Sequence, residues 1–122
     1  MHEDTKELNE KFLKLGYKPT YDEVVMQQRI EFIEEEFTEL VAAVYEDDQA
    51  EALDALVDIV VMAMGTAWAM SWDFEKAWDK VHKANMEKYA VRGKADGNRI
   101  VVCKLVKPPS WVHPDLQDCV GE

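Results

Sequence analysis

Apolar residues recur at helical spacing along the first half of the chain. A short pattern over residues 3–15 predicts a helix that closes near Gly16, and Pro19 separates it from the next element. A longer pattern predicts a second helix from about Asp22 to Tyr45. Its apolar positions are Met26, Ile30, Ile33, Phe37, Leu40, Val41 and Val44.

A third helical pattern follows a polar turn and is apolar nearly all round. Asp48 is placed to cap it, with Glu51 three residues on as the second half of a capping box, and the pattern extends to about Met70. A helix of this kind is buried on most of its sides, so we expect it in a subunit interface as well as in the monomer core. Its apolar positions are Leu53, Leu56, Val57, Ile59, Val60, Val61, Met62 and Met64.

The last third of the chain changes character. Asp73 is a suitable N-cap for a fourth helix that runs to about Val91. The turn dipeptide Asp96-Gly97 then precedes a β-type run over Ile100–Cys103, and an extended, proline-rich tail follows.

Together these patterns predict an all-α fold. A chain of 122 residues is expected to form a single domain. Four main helices would form an antiparallel bundle with its helical core at about residues 20–91, and residues from about 92 to 122 would form an irregular C-terminal arm. The interface expected for the third helix makes the predicted protein an oligomer.

Composition restricts the classes of partner and the cellular compartment that we expect for this protein. There are 14 Lys+Arg against 25 Asp+Glu, a formal charge of -11, which argues against a nucleic-acid or anionic-membrane partner because phosphate groups bind basic surfaces. The longest apolar run, within Leu56–Met70, is interrupted by Asp58 and is too short to span a bilayer. Cys103 and Cys119 have no metal-type spacing and the polar N-terminus is not a signal peptide, so we expect a cytoplasmic protein.

Acidic residues gather on the second and third predicted helices. Glu36 and Glu39 lie three residues apart on one flank of the second helix, with Glu35 beside Glu39. Asp54 and Asp58 lie four residues apart on the third helix among apolar neighbours. A carboxylate in such surroundings is costly unless it is paired, hydrogen-bonded or bound to a metal.

A cation is the partner that the sequence favours for these carboxylates. No Lys or Arg lies between Arg29 and Lys76, and the short connection makes the two helices antiparallel neighbours whose acidic patches can face each other. Carboxylate oxygens that converge without thiols or histidines are ligands for a hard cation. Mg²⁺ is the first choice and Mn²⁺ the second.

Other interpretations of the acidic pattern stay open. A run of glutamates on a helix is usually a solvated face, which remains an alternative for Glu36 and Glu39. A di-iron carboxylate bundle requires Glu-x-x-His on two helices. This chain offers only Asp79-x-x-His82, once, so we set that possibility aside.

Four segments resemble the MazG-like proteins, which are all-α nucleoside triphosphate pyrophosphohydrolases related to phosphoribosyl-ATP pyrophosphohydrolase. "RIEFIEEEFTEL" is similar to their Arg-x-x-Leu-Ile-x-Glu-Glu-x-x-Glu-Leu motif, "DALVDIVVMAMGTAWAM" to the helix that follows, and "VHKANMEKY" to their third block. "KLVKPPSWVHPDL" resembles the C-terminal tail of the compact, often phage-borne branch. The resemblance covers roughly Pro19 to Leu116, with the four segments in order.

The resemblance implies a reaction and a set of residues. The reaction is hydrolysis of a (d)NTP between its α- and β-phosphates, which gives a (d)NMP and pyrophosphate. Mg²⁺ would be held by Glu36, Glu39 and Asp58, and Glu35 would position or deprotonate water. Glu35 and Glu36 are therefore the candidate catalytic residues.

The chain departs from the family pattern at one metal position. The family has Glu-x-x-Asp on the helix that carries Asp58, whereas this chain has Ala55 three residues before Asp58. Asp54, four residues before, still shares a helix face with Asp58 and is the inferred replacement ligand.

The third block and the tail supply candidate substrate-binding residues. Asn85 carries donors and an acceptor for a base or sugar, and Tyr89 can stack or hydrogen-bond. Lys88, one turn after Asn85, can reach a phosphate or remain a solvated lysine. Lys104 and Lys107 resemble family lysines that close over the triphosphate.

Several functional alternatives remain at this point. Arg29, on the inward flank of the second helix, would bind phosphate or orient a carboxylate. The alternatives to (d)NTP hydrolysis are phosphoribosyl-ATP hydrolysis, which the phage-like tail disfavours, and a non-catalytic helical oligomer that binds metal or nucleotide. The family implies a homodimer or homotetramer, and a phage-encoded member would act in the host cytoplasm.

Overall fold

The computed structural model describes residues 1–92 and 103–121, and most of them are helical. The helices are α1 (His2–Lys14), α2 (Glu23–Tyr45), α3 (Gln49–Ala69) and α4 (Phe74–Met86). Two short strands, β1 (Tyr89–Val91) and β2 (Lys104–Val106), pair antiparallel, and a 3-10 turn covers Gln117–Cys119. The prediction of an all-α fold is confirmed.

Polar side chains fix the starts of the two long helices. The Asp22 carboxylate accepts hydrogen bonds from the amides of Val24 and Val25, at 2.8 and 3.2 Å. The Asp48 carboxylate accepts one from the Glu51 amide at 3.0 Å, so the cap predicted for the third helix is confirmed. These bonds satisfy amides that a helix start otherwise leaves unpaired.

The end of α4 differs from the sequence prediction. The fourth helix was expected to reach about Val91, but it ends at Met86. The amides of Glu87 and Lys88 bond to carbonyls only three residues back, which tightens the last turn. Beyond that turn the chain pairs with β2, and a pairing so distant in sequence leaves no trace in local periodicity.

The C-terminal arm is more regular than predicted, since it contributes β2 and the 3-10 turn. The β-type run expected at Ile100–Cys103 lies mostly outside the described residues, as does the Asp96-Gly97 turn. Cys103 itself is described and belongs to no strand, and β2 begins one residue later.

Met1–Phe74, together with Gly121, form one compact unit. Here α2 and α3 pack along each other as an antiparallel pair, because only residues 46–48 connect them, and α1 packs on α3. Small side chains lie at the buried positions and allow the helices to approach closely. These include Ala43, Ala55, Ala67 and Ala69, with Met70 as the largest fully buried side chain.

α3 is buried mainly along its C-terminal half, although Ala55 in its N-terminal half is also buried. Its N-terminal half exposes Leu53, Leu56, Val57 and Val60, so the expectation of burial on most sides does not hold within one chain. α3 is long and apolar enough, by length and composition, to cross a membrane, but core helices of soluble proteins pass the same test. The predicted subunit interface and the predicted absence of a membrane span stay predictions.

Of the described residues, 75–92 and 103–120 form the second unit. Its tail is attached to α4 by Asp118, whose carboxylate lies 2.8 Å from the Lys76 ammonium and 2.7 Å from that of Lys80. These two bonds hold the pKa of Asp118 far below its usual value. The Trp111 indole nitrogen also donates to the Ala84 carbonyl, at 2.7 Å. The prediction that the whole chain is a single domain stays a prediction.

Arg29 joins α2 to α3 beside Gly65, a residue of α3 that has no side chain. Its Nε donates to the Thr66 hydroxyl at 3.1 Å, and its Nη2 donates to the Met62 carbonyl at 3.3 Å. A Cβ added to Gly65 would lie 2.6 Å from Nη2, so the guanidinium occupies the space that a side chain would need.

We predict that Gly65→Ala destabilises the protein, although alanine is the better helix former by about 1 kcal/mol. The new methyl group displaces the guanidinium and breaks charge-assisted hydrogen bonds, so we expect a net loss of about 1 kcal/mol in the free energy of unfolding. Urea unfolding measures this loss. In an Arg29→Ala background the same change should become stabilising, and a loss of equal size in both backgrounds would contradict this explanation.

Candidate active site

The acidic residues predicted from the sequence lie on the pair formed by α2 and α3. On α2, Glu36 is partly buried, whereas Glu35 and Glu39 are exposed. On α3, Asp58 is partly buried and Asp54 is exposed. The carboxylates therefore extend from the contact between the two helices outwards to the solvent.

Glu36 is at the electrostatic centre of this group. Burial raises its pKa, and the nearby Glu39, Asp58 and Asp54 carboxylates raise it further. Its Oε2 atom is buried and has no hydrogen-bond partner in the described part of the chain. A buried acceptor without a partner is costly, so this oxygen calls for a partner that the described residues do not supply.

The four carboxylates are neighbours but are not arranged as a finished metal centre. In residues 1–92 and 103–121, no three His, Cys, Asp or Glu side chains are grouped closely enough to hold a metal ion as they stand. Like charges without a cation between them repel, so separated carboxylates are the arrangement that electrostatics favours for this group by itself.

The structure shows the surroundings of Ala55, the position at which this chain lacks the acidic residue of the family pattern. Ala55 is fully buried, with 0% of its surface exposed. Asp54 is exposed, yet its charge still acts on Glu36. A carboxylate at the Asp54 position therefore contributes to the negative potential of the group from its solvent side.

Arg29 is part of the same helix pair but forms no ion pair among the described residues. Its bonds to Thr66 and Met62 hold it against α3, and its guanidinium also lies 5.8 Å from the centroid of the Phe32 ring. Burial lowers the pKa of Arg29, although an arginine stays charged at any physiological pH. The carboxylate-orienting role considered from the sequence therefore has no counterpart in these contacts.

The second unit brings two of the predicted substrate-binding lysines together. The ammonium groups of Lys88 and Lys107 lie 4.9 and 4.8 Å from the centroid of the Trp111 ring. Both distances suit cation–π contacts. Trp111 was not predicted as a site residue, because a single tryptophan in a proline-rich tail is most simply a packing residue.

The other predicted substrate-binding residues also belong to the second unit. Asn85 is partly buried on α4, and Lys104 is exposed in β2. Tyr89 is 52% exposed and lies in β1 rather than on a helix, opposite Val106 of β2. The roles predicted for these residues in substrate binding stay predictions.

Comparison with known protein families shows which family contains a chain with these carboxylates. Residues 6–85 match the family model described as phosphoribosyl-ATP pyrophosphohydrolase. A comparison with curated proteins finds no match. The matched segment contains all the acidic candidates together with Arg29 and Asn85, but it ends before Lys88 and the tail. Members of this family are pyrophosphohydrolases, which are hydrolases that act on phosphoric anhydrides.

Because the match covers more than half of the chain, it confirms the resemblance found in the sequence. The chain belongs to the phosphoribosyl-ATP pyrophosphohydrolase family, within the MazG-like all-α nucleoside triphosphate pyrophosphohydrolases.

Proposed function

We propose that this protein is a Mg²⁺-dependent nucleoside triphosphate pyrophosphohydrolase that converts a (d)NTP to the (d)NMP and pyrophosphate. The observation that carries the proposal is the environment of Glu36. Burial and three further carboxylates raise its pKa, and one of its oxygens is buried without a hydrogen-bond partner among the described residues. This is the arrangement expected of carboxylates that receive their counter-charge from outside the chain.

The residues present fit a hard divalent cation. Glu36, Glu39 and Asp58 would hold it, with Asp54 at the solvent side, and their oxygens are the ligands that Mg²⁺ and Mn²⁺ prefer. When bound, such an ion neutralises phosphate charge and lowers the pKa of a coordinated water.

The protein's own residues would then orient the reactants. Glu35, exposed beside the acidic group, would position a water or accept its proton for attack on the α-phosphorus, in line with the departing pyrophosphate. Lys88, Lys104 and Lys107 would bind phosphate oxygens, because their charges offset those of the substrate. The chemistry needs no covalent intermediate, since position and electrostatics suffice.

Phosphoribosyl-ATP hydrolysis is the second candidate function. The description of the matching family favours it. The bond between the α- and β-phosphates is broken in both reactions, so the carboxylates on α2 and α3 would serve either substrate. A non-catalytic oligomer that binds metal or nucleotide is the third. It would retain the cation site but release no pyrophosphate.

We also propose that the protein works as a homodimer or homotetramer in the cytoplasm. The N-terminal half of α3 and the adjoining face of α2 expose a row of large apolar side chains that a second copy would cover. The exposed residues are Phe37, Val41, Val44, Leu53, Leu56, Val57 and Val60. The absence of a disulfide framework among the two cysteines supports a reducing compartment.

The first prediction from this proposed function concerns activity. With Mg²⁺ and a panel of NTPs and dNTPs, the wild type should release pyrophosphate from at least one substrate. Asp58→Asn and Glu39→Gln should lower kcat/KM by about 100-fold or more, because each removes a charged ligand that the transition state needs. Coupled pyrophosphate detection measures the rates, and chelation with EDTA should abolish them.

Glu34→Gln is the matched control, since Glu34 is an exposed glutamate of the same helix outside the acidic group. It should keep nearly full activity. If no nucleotide of the panel is hydrolysed, phosphoribosyl-ATP is the next substrate to assay. Inactivity on that substrate too would leave the non-catalytic alternative.

The second prediction separates metal binding from catalysis. Without divalent ions, Glu36→Gln should melt at a higher temperature than the wild type, because it removes a charge that three neighbouring carboxylates repel. Added Mg²⁺ should raise the melting temperature of the wild type but not that of the variant. Calorimetry of both proteins, with and without EDTA, measures this. An equal shift with Mg²⁺ in the two proteins would place the ion elsewhere.

The third prediction concerns assembly. Val57→Glu should reduce the molar mass in solution to that of one chain, because a charge in an apolar interface is costly to bury. Light scattering after size-exclusion chromatography measures this mass. Val24→Glu, a matched change at an exposed residue in the first turn of α2, should leave the mass unchanged. A wild type that is already monomeric would refute the oligomer.

A further inference from the structure

A cavity of about 410 Å³ lies among α1, α2 and α3, apart from the acidic residues. Its walls are mostly aromatic and aliphatic, with rings contributed by every one of the three helices and by the segment that joins α1 to α2. The aromatic lining residues are Phe12, Tyr17, Phe32 and Trp68. A cavity of this size and lining suits a flat, largely apolar ring system.

One side chain in this wall is both buried and polar. Asn9 of α1 is only 6% exposed and lines the cavity. A buried amide carries two N–H donors and a carbonyl acceptor that all require partners. An amide that lines a cavity can offer them to a ligand.

Arg29 gives the same cavity a positive charge. The residue lines the cavity beside Gly65, which leaves the room that the guanidinium fills. Two of its nitrogens bond to α3, whereas Nη1 has no hydrogen-bond partner in the described chain. An electronegative ligand atom, such as the carbonyl oxygen or ring nitrogen of a heterocycle, would satisfy it.

The cavity and the acidic group lie on the same side of the α2–α3 pair. Arg29 precedes Glu36 by seven residues, and Gly65 follows Asp58 by seven residues. Seven residues make almost two full helical turns, which return a side chain to the same face about 10 Å along the axis. A ligand that occupied both places would carry its ring system and its anionic part at opposite ends.

We propose that this cavity is the base subsite of the nucleotide substrate and that Asn9 is its specificity-determining residue. The aromatic walls pack against the base, and the Asn9 amide hydrogen-bonds its edge. This inference rests on the proposed function for the identity of the ligand. It also goes beyond it, because it assigns base selection to α1, which carries none of the residues predicted from the sequence.

The test starts with binding in the absence of catalysis. Nucleoside 5′-monophosphates of the common bases are titrated into the full chain in EDTA, and tryptophan fluorescence is followed because Trp68 lines the cavity. We expect saturable quenching with a clear preference among bases. Asn9→Leu, which keeps the branching at Cγ but removes the amide, should weaken binding of the preferred monophosphate about tenfold or more.

Glu10→Leu is the control, because it introduces leucine at the neighbouring exposed residue of α1, and it should bind like the wild type. Asn9→Asp guards against a folding defect in Asn9→Leu, because it keeps the side-chain shape while replacing the amide donor by a second acceptor. It should change which base binds best. Thermal melting confirms that each variant is folded.

Kinetics distinguishes this inference from the proposed function. If the wild type hydrolyses nucleotides, Asn9→Leu should lower the ratio of kcat/KM values between the preferred and the other bases by about 10- to 100-fold. An unchanged ratio together with unchanged monophosphate binding would overturn the base subsite and leave the proposed function intact. Binding of monophosphates that depends on Asn9, in a protein that hydrolyses no nucleotide, would support the subsite and overturn the function.

Discussion

The contact between α2 and α3 is the constraint on which the rest of the structure depends, because it buries charge as well as apolar surface. Ala43 and Ala55 are small buried residues of the two helices, and beside Gly65 the Arg29 side chain reaches two acceptors on α3. One oxygen of Glu36 is also buried. Arg29 is held by protein acceptors through Nε and Nη2, whereas this oxygen of Glu36 has no hydrogen-bond partner among the described residues. The α2–α3 pair is therefore bridged by hydrogen bonds near Arg29 and leaves an unpaired carboxylate oxygen near Glu36.

This asymmetry explains how a strongly acidic helix pair can be both folded and functional. Repulsion among Glu36, Glu39, Asp54 and Asp58 costs stability, and the raised pKa of Glu36 is the sign of that cost. Apolar packing of α3 and the bonds of Arg29 offset it elsewhere in the same unit. A cation bound at this site would supply the positive charge that the neighbouring described residues lack, so its binding would also raise stability.

Sequence reasoning succeeded where the signal is local and failed where it is not. The Asp48 cap and the bounds of α2 follow from side chains within one helical turn, so the residue pattern contains them. The end of α4 depends on pairing between β1 and β2, which are separated by more than ten residues. The exposed residues of α3, such as Leu53 and Val57, look like core in the sequence because apolar periodicity is the same whether the neighbouring surface belongs to one chain or two.

The same difference between local and non-local signals applies to the residues of the candidate site. Glu36 and Asp58 were identifiable because acidic residues on an apolar helix are unusual and because the spacing matches a family motif. Asn9 was not, since an asparagine in a short and mostly polar helix looks like surface, and only the packing of α1 reveals that it is 6% exposed. In this proposal the cleavage chemistry is carried by residues whose spacing is readable in the sequence, whereas the choice of base is made in a cavity that forms only when three helices meet. This difference is why a sequence can identify the bond that is broken before it identifies the nucleotide that carries it.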